Sequence, residues 1–276
     1  MRKAFWLLFA LALALALPAL AQDPVLPAVT AIHTAPTLGE LPPPESLRPC
    51  CAFGYDLHVR AAGIPIPMYQ IGNVLTLGTL GKHHYNDSAF GAVKNLLGLS
   101  EEQNGLIYTR RGGFIDIAHV RDTADNTFYL FNRIAPTLGQ AGRIFYSEEL
   151  GVRRVQLNAF TPPAGVRQRY QLAAWLAGHL AFEIAQWYGF QSVPGFSEEI
   201  SAFSPEDLYS NLLGARLAIN VILSGHGGSL EDYNQAMDAA LKQVLTRLLV
   251  ATRGAFQGLA DRAHEADKTQ LARTEK

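Results

Sequence analysis

The run from Gln171 to Phe190, QLAAWLAGHLAFEIAQWYGF, decides the fold class. Leu172, Trp175, Leu176, Leu180, Phe182, Ile184 and Trp187 point in every direction around a helix, the pattern of a helix enclosed by its own domain. Against this apolar background His179, Glu183 and Gln186 recur at i, i+4 and i+7 and share one face. A buried carboxylate and imidazole must be paired, bound to metal or open to a wet cleft. The stripe is therefore a candidate site.

Working outward, the chain divides into a loop-rich first third and a helical remainder. Residues 22–45 are rich in proline, including Pro24, Pro27, Pro36, Pro42, Pro43 and Pro44, and predict an extended, partly disordered lead-in. Leu57–Val59 and Ile64–Tyr69 lean towards strands, and Ser88–Leu97 reads as a short helix. Phe114–Ile134 reads as a long helix entered through Gly112-Gly113, and 143–146 with 153–158 as a hairpin turning at Gly151. Helices follow at 165–189, 205–223 and 230–253. Ser204 with Pro205, and Ser229 with Asp232, supply start signals for the last two.

The expected architecture is mainly α (α+β): a helix-rich single domain over 46–254 with a small hairpin element. A frayed polar tail covers 255–276.

The first residues concern export. Arg2 and Lys3 precede an apolar run from Ala4 to Leu17, Pro18 breaks it, and Ala19-Leu20-Ala21 offers small residues for cleavage. This predicts a signal peptide over 1–21 and a periplasmic or secreted mature protein. The run falls short of the about 20 apolar residues of a membrane span, so no transmembrane anchor is expected after cleavage. The formal charge of the 276-residue chain is −1, and losing Arg2 and Lys3 makes it more acidic. That argues against nucleic acid as a partner. An envelope small molecule, peptide or lipid is the expected partner class.

Two further clusters carry chemistry. In GGFIDIAHVRDTAD, 112–125, a helix places Asp116 and His119 one turn apart among apolar neighbours, a ligand or base with its orienting acid. Arg121 and Asp122 read as solvated. His119 joined by His179 and Glu183 gives a two-imidazole, one-carboxylate set for a divalent metal, with zinc favoured and Asp116 behind it. Such an ion lowers the pKa of bound water to about 7 and supports hydrolysis. No HExxH motif is present.

The two cysteines, Cys50 and Cys51, are adjacent and cannot staple distant parts of the chain. Cys51 with His119 and Asp116 forms the alternative catalytic set, a cysteine-dependent hydrolase or acyltransferase. A non-catalytic envelope binding or assembly module, its polar stripe structural, is the third expectation. Glu183 belongs to the catalytic candidates together with Cys51, Asp116 and His119. Glu198 and Glu199, in the loop before Ser204, read as solvated acids.

The blocks PCCAFGYDL (49–57), HHYND (83–87), YTRRGGFIDIAHVRDTAD (108–125) and WYGFQSVPGFSEEISAFSPEDLYSNLLG (187–214) resemble a bacterial family of secreted proteins and lipoproteins of unknown function. The resemblance spans roughly residues 45–250 and implies no activity. Relatives of that kind carry a His directly before the acid at Glu183, where this chain has Phe182, and a Cys at the position of Arg110. His179 then stands as a shifted substitute, or a ligand has been lost.

Overall fold

The computed structural model describes residues 25–27, 29–44, 48, 57–61, 64–71, 75–87, 94, 100–148, 151–188, 191–193, 196, 197 and 205–250. Residues 1–24, Cys50, Cys51, residues 88–93 and 95–99, Glu198, Glu199, Ser204 and residues 251–276, which carry the expected signal peptide, short helix and polar tail, lie outside the described residues.

The domain is helix-rich α+β, as its periodicity predicts. Four helices are described: α1 (Ile117–Ile134), α2 (Val166–Tyr188), α3 (Pro205–Leu223) and α4 (Leu230–Arg247). Four two-stranded antiparallel ribbons accompany them: β1 (Leu57–Ala61) with β2 (Ile64–Ile71), β3 (Leu106–Thr109) with β4 (Gly113–Asp116), β5 (Gly142–Glu148) with β6 (Gly151–Leu157), and β7 (Gln191–Val193) with β8 (Phe196–Ser197).

The axle of the domain is α1, although α2 has the more apolar sequence. Every residue of α1 except Arg133 is buried. Its Ile117, Val120, Ala124, Phe128 and Phe131 enter the common core, and Phe128 stacks on Tyr233 of α4 at 3.9 Å between ring centroids.

Against it, α3 runs in the same direction and α2 in the opposite one. Asp116 and Val120 at the start of α1 face Ser210 and Gly214 of α3. Tyr170 of α2 meets Phe131 of α1 and donates to the Ile222 carbonyl at the far end of α3. The expectation that α2 is enclosed on all sides is corrected: Trp175 is exposed, and the side chains of His179 and Glu183 are about 40% exposed.

The expected helix over 114–134 also changes at its start. Phe114 and Ile115 pair in register with Tyr108 and Ile107, Gly113 turning the ribbon with φ +71, and Asp116 becomes the N-cap of α1. Its Oδ1 accepts from the amides of Ala118 at 2.8 Å and His119 at 3.4 Å, so helix begins only beyond it. The last helix ends at Arg247 rather than 253, because Leu249 adopts φ 59 and turns the chain away. The Leu248 and Leu249 carbonyls then accept from Arg111 and Arg110 in the β3–β4 turn.

The proline-rich lead-in, expected to be partly disordered, is laid across the helices and held at several points. Leu26 and Leu41 are buried. Asn220 donates to the Pro27 carbonyl, Arg247 to that of Leu26, and the Leu38 amide donates to Asn132 Oδ1 at 2.6 Å. Proline disfavours strands and helices but leaves carbonyls free, and side chains of α1, α3 and α4 use the lead-in's backbone groups.

Beyond the lead-in, Arg48 is fully buried. Its five N–H donors are all engaged: Nε to Glu102 at 2.6 Å, Nη1 to Asp122 at 2.7 Å and Asp125 at 2.9 Å, Nη2 to Glu102 at 3.0 Å and the His84 carbonyl at 2.6 Å. Its backbone amide donates to the second oxygen of Asp122. Arg121 is buried beside this network and donates to Gln103, Asn104 and the Leu80 carbonyl. Both Arg121 and Asp122, expected in solvent, are thus interior.

Burial raises all three carboxyls, but the Arg48 charge overcomes it at Glu102 and Asp125, which are held below the usual carboxylate range. At Asp122 burial, reinforced by the neighbouring Asp125 charge, prevails over Arg48 and pushes the group up to about 7.

Two predictions follow from this network. Arg48→Ala leaves three buried carboxyls without their main partner and is expected to cost about 3–5 kcal/mol in chemical denaturation. For pH, Asp122 is protonated more readily folded than unfolded, so its contribution is full below about 4 and is lost as pH rises towards 7. Glu102 and Asp125 act oppositely, their contribution being lost as pH falls below the ordinary carboxylate range. Asp122→Asn is therefore expected to remove a fall of up to about 1.4 kcal/mol per pH unit between pH 4 and 7, measured by urea unfolding at stepped pH.

Candidate functional site

The N-terminal ends of α1 and α3 lie side by side and each delivers acid. Asp116 caps α1 and His119 follows in its first turn, while Asp207 occupies the first turn of α3. Helix N-termini favour acidic side chains, which places one acid at each of these two ends. All three side chains are buried, and one ligand-type atom from each lies within 4.8 Å of the others. His119 Nε2 is 3.3 Å from Asp207 Oδ1.

The seam that carries the site is close-packed. A Cβ on Gly214 would lie 2.1 Å from the Val120 carbonyl oxygen, so only glycine lets α3 approach α1 this nearly. Two side-chain bonds stitch the seam on either side of His119. The Asp116 amide donates to Ser210 Oγ at 2.9 Å, and Thr123 Oγ1 donates to Asn211 Oδ1 at 2.8 Å.

The sequence-derived candidates separate accordingly. Asp116 and His119 are brought together as expected, although through a cap rather than a helical stripe. Asp207, which the sequence marks only as a first-turn acid beside Glu206, completes the group. His179 and Glu183 pair with each other, Nδ1 to Oε1 at 4.0 Å, on the exposed stripe of α2. They do not join His119 in any three-residue donor group of this size among the described residues. Cys51 lies outside the described residues.

His83 is buried with Nε2 3.1 Å from Asp125 Oδ1 and belongs to the Arg48 network. His226 is exposed and pairs with Asp232 at 2.9 Å.

Chemically, two carboxylates and an imidazole suit a divalent cation of the zinc, manganese or iron kind. They equally make an acid–imidazole pair for moving protons. Among the described residues no helix is long and apolar enough to cross a membrane.

Residues 38–263 match the family described as "Protein of unknown function (DUF4056)", and the chain belongs to it. No curated protein and no solved structure matches the chain.

The Gly214 contact yields a direct test of the seam. Gly214→Ala forces the helices apart against backbone and is expected to destabilise the fold by about 1–3 kcal/mol in denaturant unfolding.

Proposed function

We propose that the protein is an exported metal-assisted hydrolase acting on an ester, amide or phosphoester of the cell envelope, with its metal held by Asp116, His119 and Asp207. The observation that carries this reading is the convergence of three buried donor side chains from two helix ends within 4.8 Å. Three protein ligands leave a position for water, the arrangement of catalytic zinc, so zinc is the favoured ion. Bound there, it supplies a hydroxide near neutral pH. The backbone amides of Ala118 and His119 hold Asp116 Oδ1 and fix the direction of that carboxylate. Export rests on the basic start, apolar run and small-residue cleavage site of residues 1–21. His179 and Glu183, exposed on α2, stand outside this ligand set and serve as controls.

Purified protein is expected to carry about one equivalent of divalent metal by elemental analysis. His119→Ala and Asp207→Ala should abolish it, and His179→Ala and Glu183→Gln should retain it. Metal-free wild-type protein that also fails to take up zinc, manganese or iron sinks the reading.

One observation favours a second reading, a Cys51–His119 hydrolase. The Arg48 amide is bonded to Asp122, one helical turn beyond His119. Cys51 follows Arg48 by three residues in the chain. Labelling by a thiol probe at neutral pH, lost in Cys51→Ala and weakened in His119→Ala, is the expected signature of that chemistry.

A further inference from the structure

We infer that Ser210 is a positioning residue for the metal centre, an inference that rests on the metal reading above. Its hydroxyl hydrogen is committed to the Glu206 carbonyl at 2.5 Å, one turn back in α3. The oxygen lone pairs are thereby turned towards α1, where the Asp116 amide donates to them at 2.9 Å. Glu206 immediately precedes Asp207. A single buried hydroxyl thus ties the backbone of one ligand, Asp116, to the backbone adjoining another, Asp207.

Thr123 and Asn211 form the other stitch, joining the helices four residues after His119 and Asp207 through side chains that are not ligands. Ser210 sets the separation of the two carboxylates, and Thr123 holds the helices together at a point beyond them. Groups that orient metal ligands through hydrogen bonds typically account for 10- to 100-fold in affinity.

The two stitches supply matched variants. Ser210→Ala and Thr123→Val each delete one buried hydroxyl bond of the same seam, and both are expected to lower the unfolding midpoint. Cobalt(II) is the probe, because its visible absorption reports ligand geometry as well as occupancy. Ser210→Ala should weaken cobalt binding by about 10- to 100-fold and alter the spectrum of the loaded protein. Thr123→Val should leave affinity and spectrum at wild-type values.

Equal weakening by Ser210→Ala and Thr123→Val overturns the inference, since the seam would then act only through stability. Unchanged binding in Ser210→Ala overturns it as well while leaving the metal reading standing. Wild-type protein that binds no cobalt removes both. Should Ser210→Ala fail to fold, Ser210→Thr, whose added methyl displaces the hydroxyl, against Thr123→Ser decides: a displaced spectrum in the first and not the second supports the role of Ser210, and any other result overturns it.

Discussion

A buried guanidinium organises this domain. Arg48 brings five donors into the interior, and protein acceptors take all five. Its partners come from three parts of the chain: the loop carrying His84, the segment at Glu102, and the middle of α1. Replacing such a network with well-packed apolar groups is often neutral or favourable, whereas removing one member strands the rest. Its structural consequence is specification. With Asp122 and Asp125 both fixed on Arg48, α1 can neither rotate nor slide, and the end bearing Asp116 and His119 is set in place.

That placement meets a second constraint at the α1–α3 seam. Gly214 admits the Val120 carbonyl, and the parallel course of the helices puts both N-termini at one end. Two positive helix ends side by side would repel, and acids at each end relieve this. Asp116 and Asp207 therefore have a structural reason to be where they are. His119 between them turns the pair of caps into a donor group. The chemistry arises at the meeting point of two local capping rules, which explains how a site appears without a recognisable motif.

Much of the architecture was legible. The helices α2 and α3 and the β5–β6 ribbon follow apolar periodicity and turn residues, and Ser229 caps α4 by accepting from the Asp232 amide. The polar face of α1 was not legible. A helix carrying Arg121, Asp122, Asp125, Asn126 and Asn132 looks solvated unless its partners are known, and Arg48 lies far away in sequence. The opposite error arose on α2, where apolar residues on every side suggested enclosure, yet Trp175, His179 and Glu183 face outward. Half of the candidate site was read from the Asp116–His119 spacing. Asp207 was hidden because a first-turn acid is fully explained by the helix dipole, and nothing local distinguishes it from Glu206.

The two buried polar clusters differ in kind, and the difference bears on function. Around Arg48 opposite charges meet: two guanidiniums face Glu102 and Asp125, while burial pushes Asp122 up to about 7. In the Asp116–His119–Asp207 group two carboxyl groups and an imidazole bring ligand atoms within 4.8 Å of one another, a set that could hold a metal ion. A structural role for the second would be served as well by caps pointing away from each other, and it is their convergence on His119 that the metal reading explains.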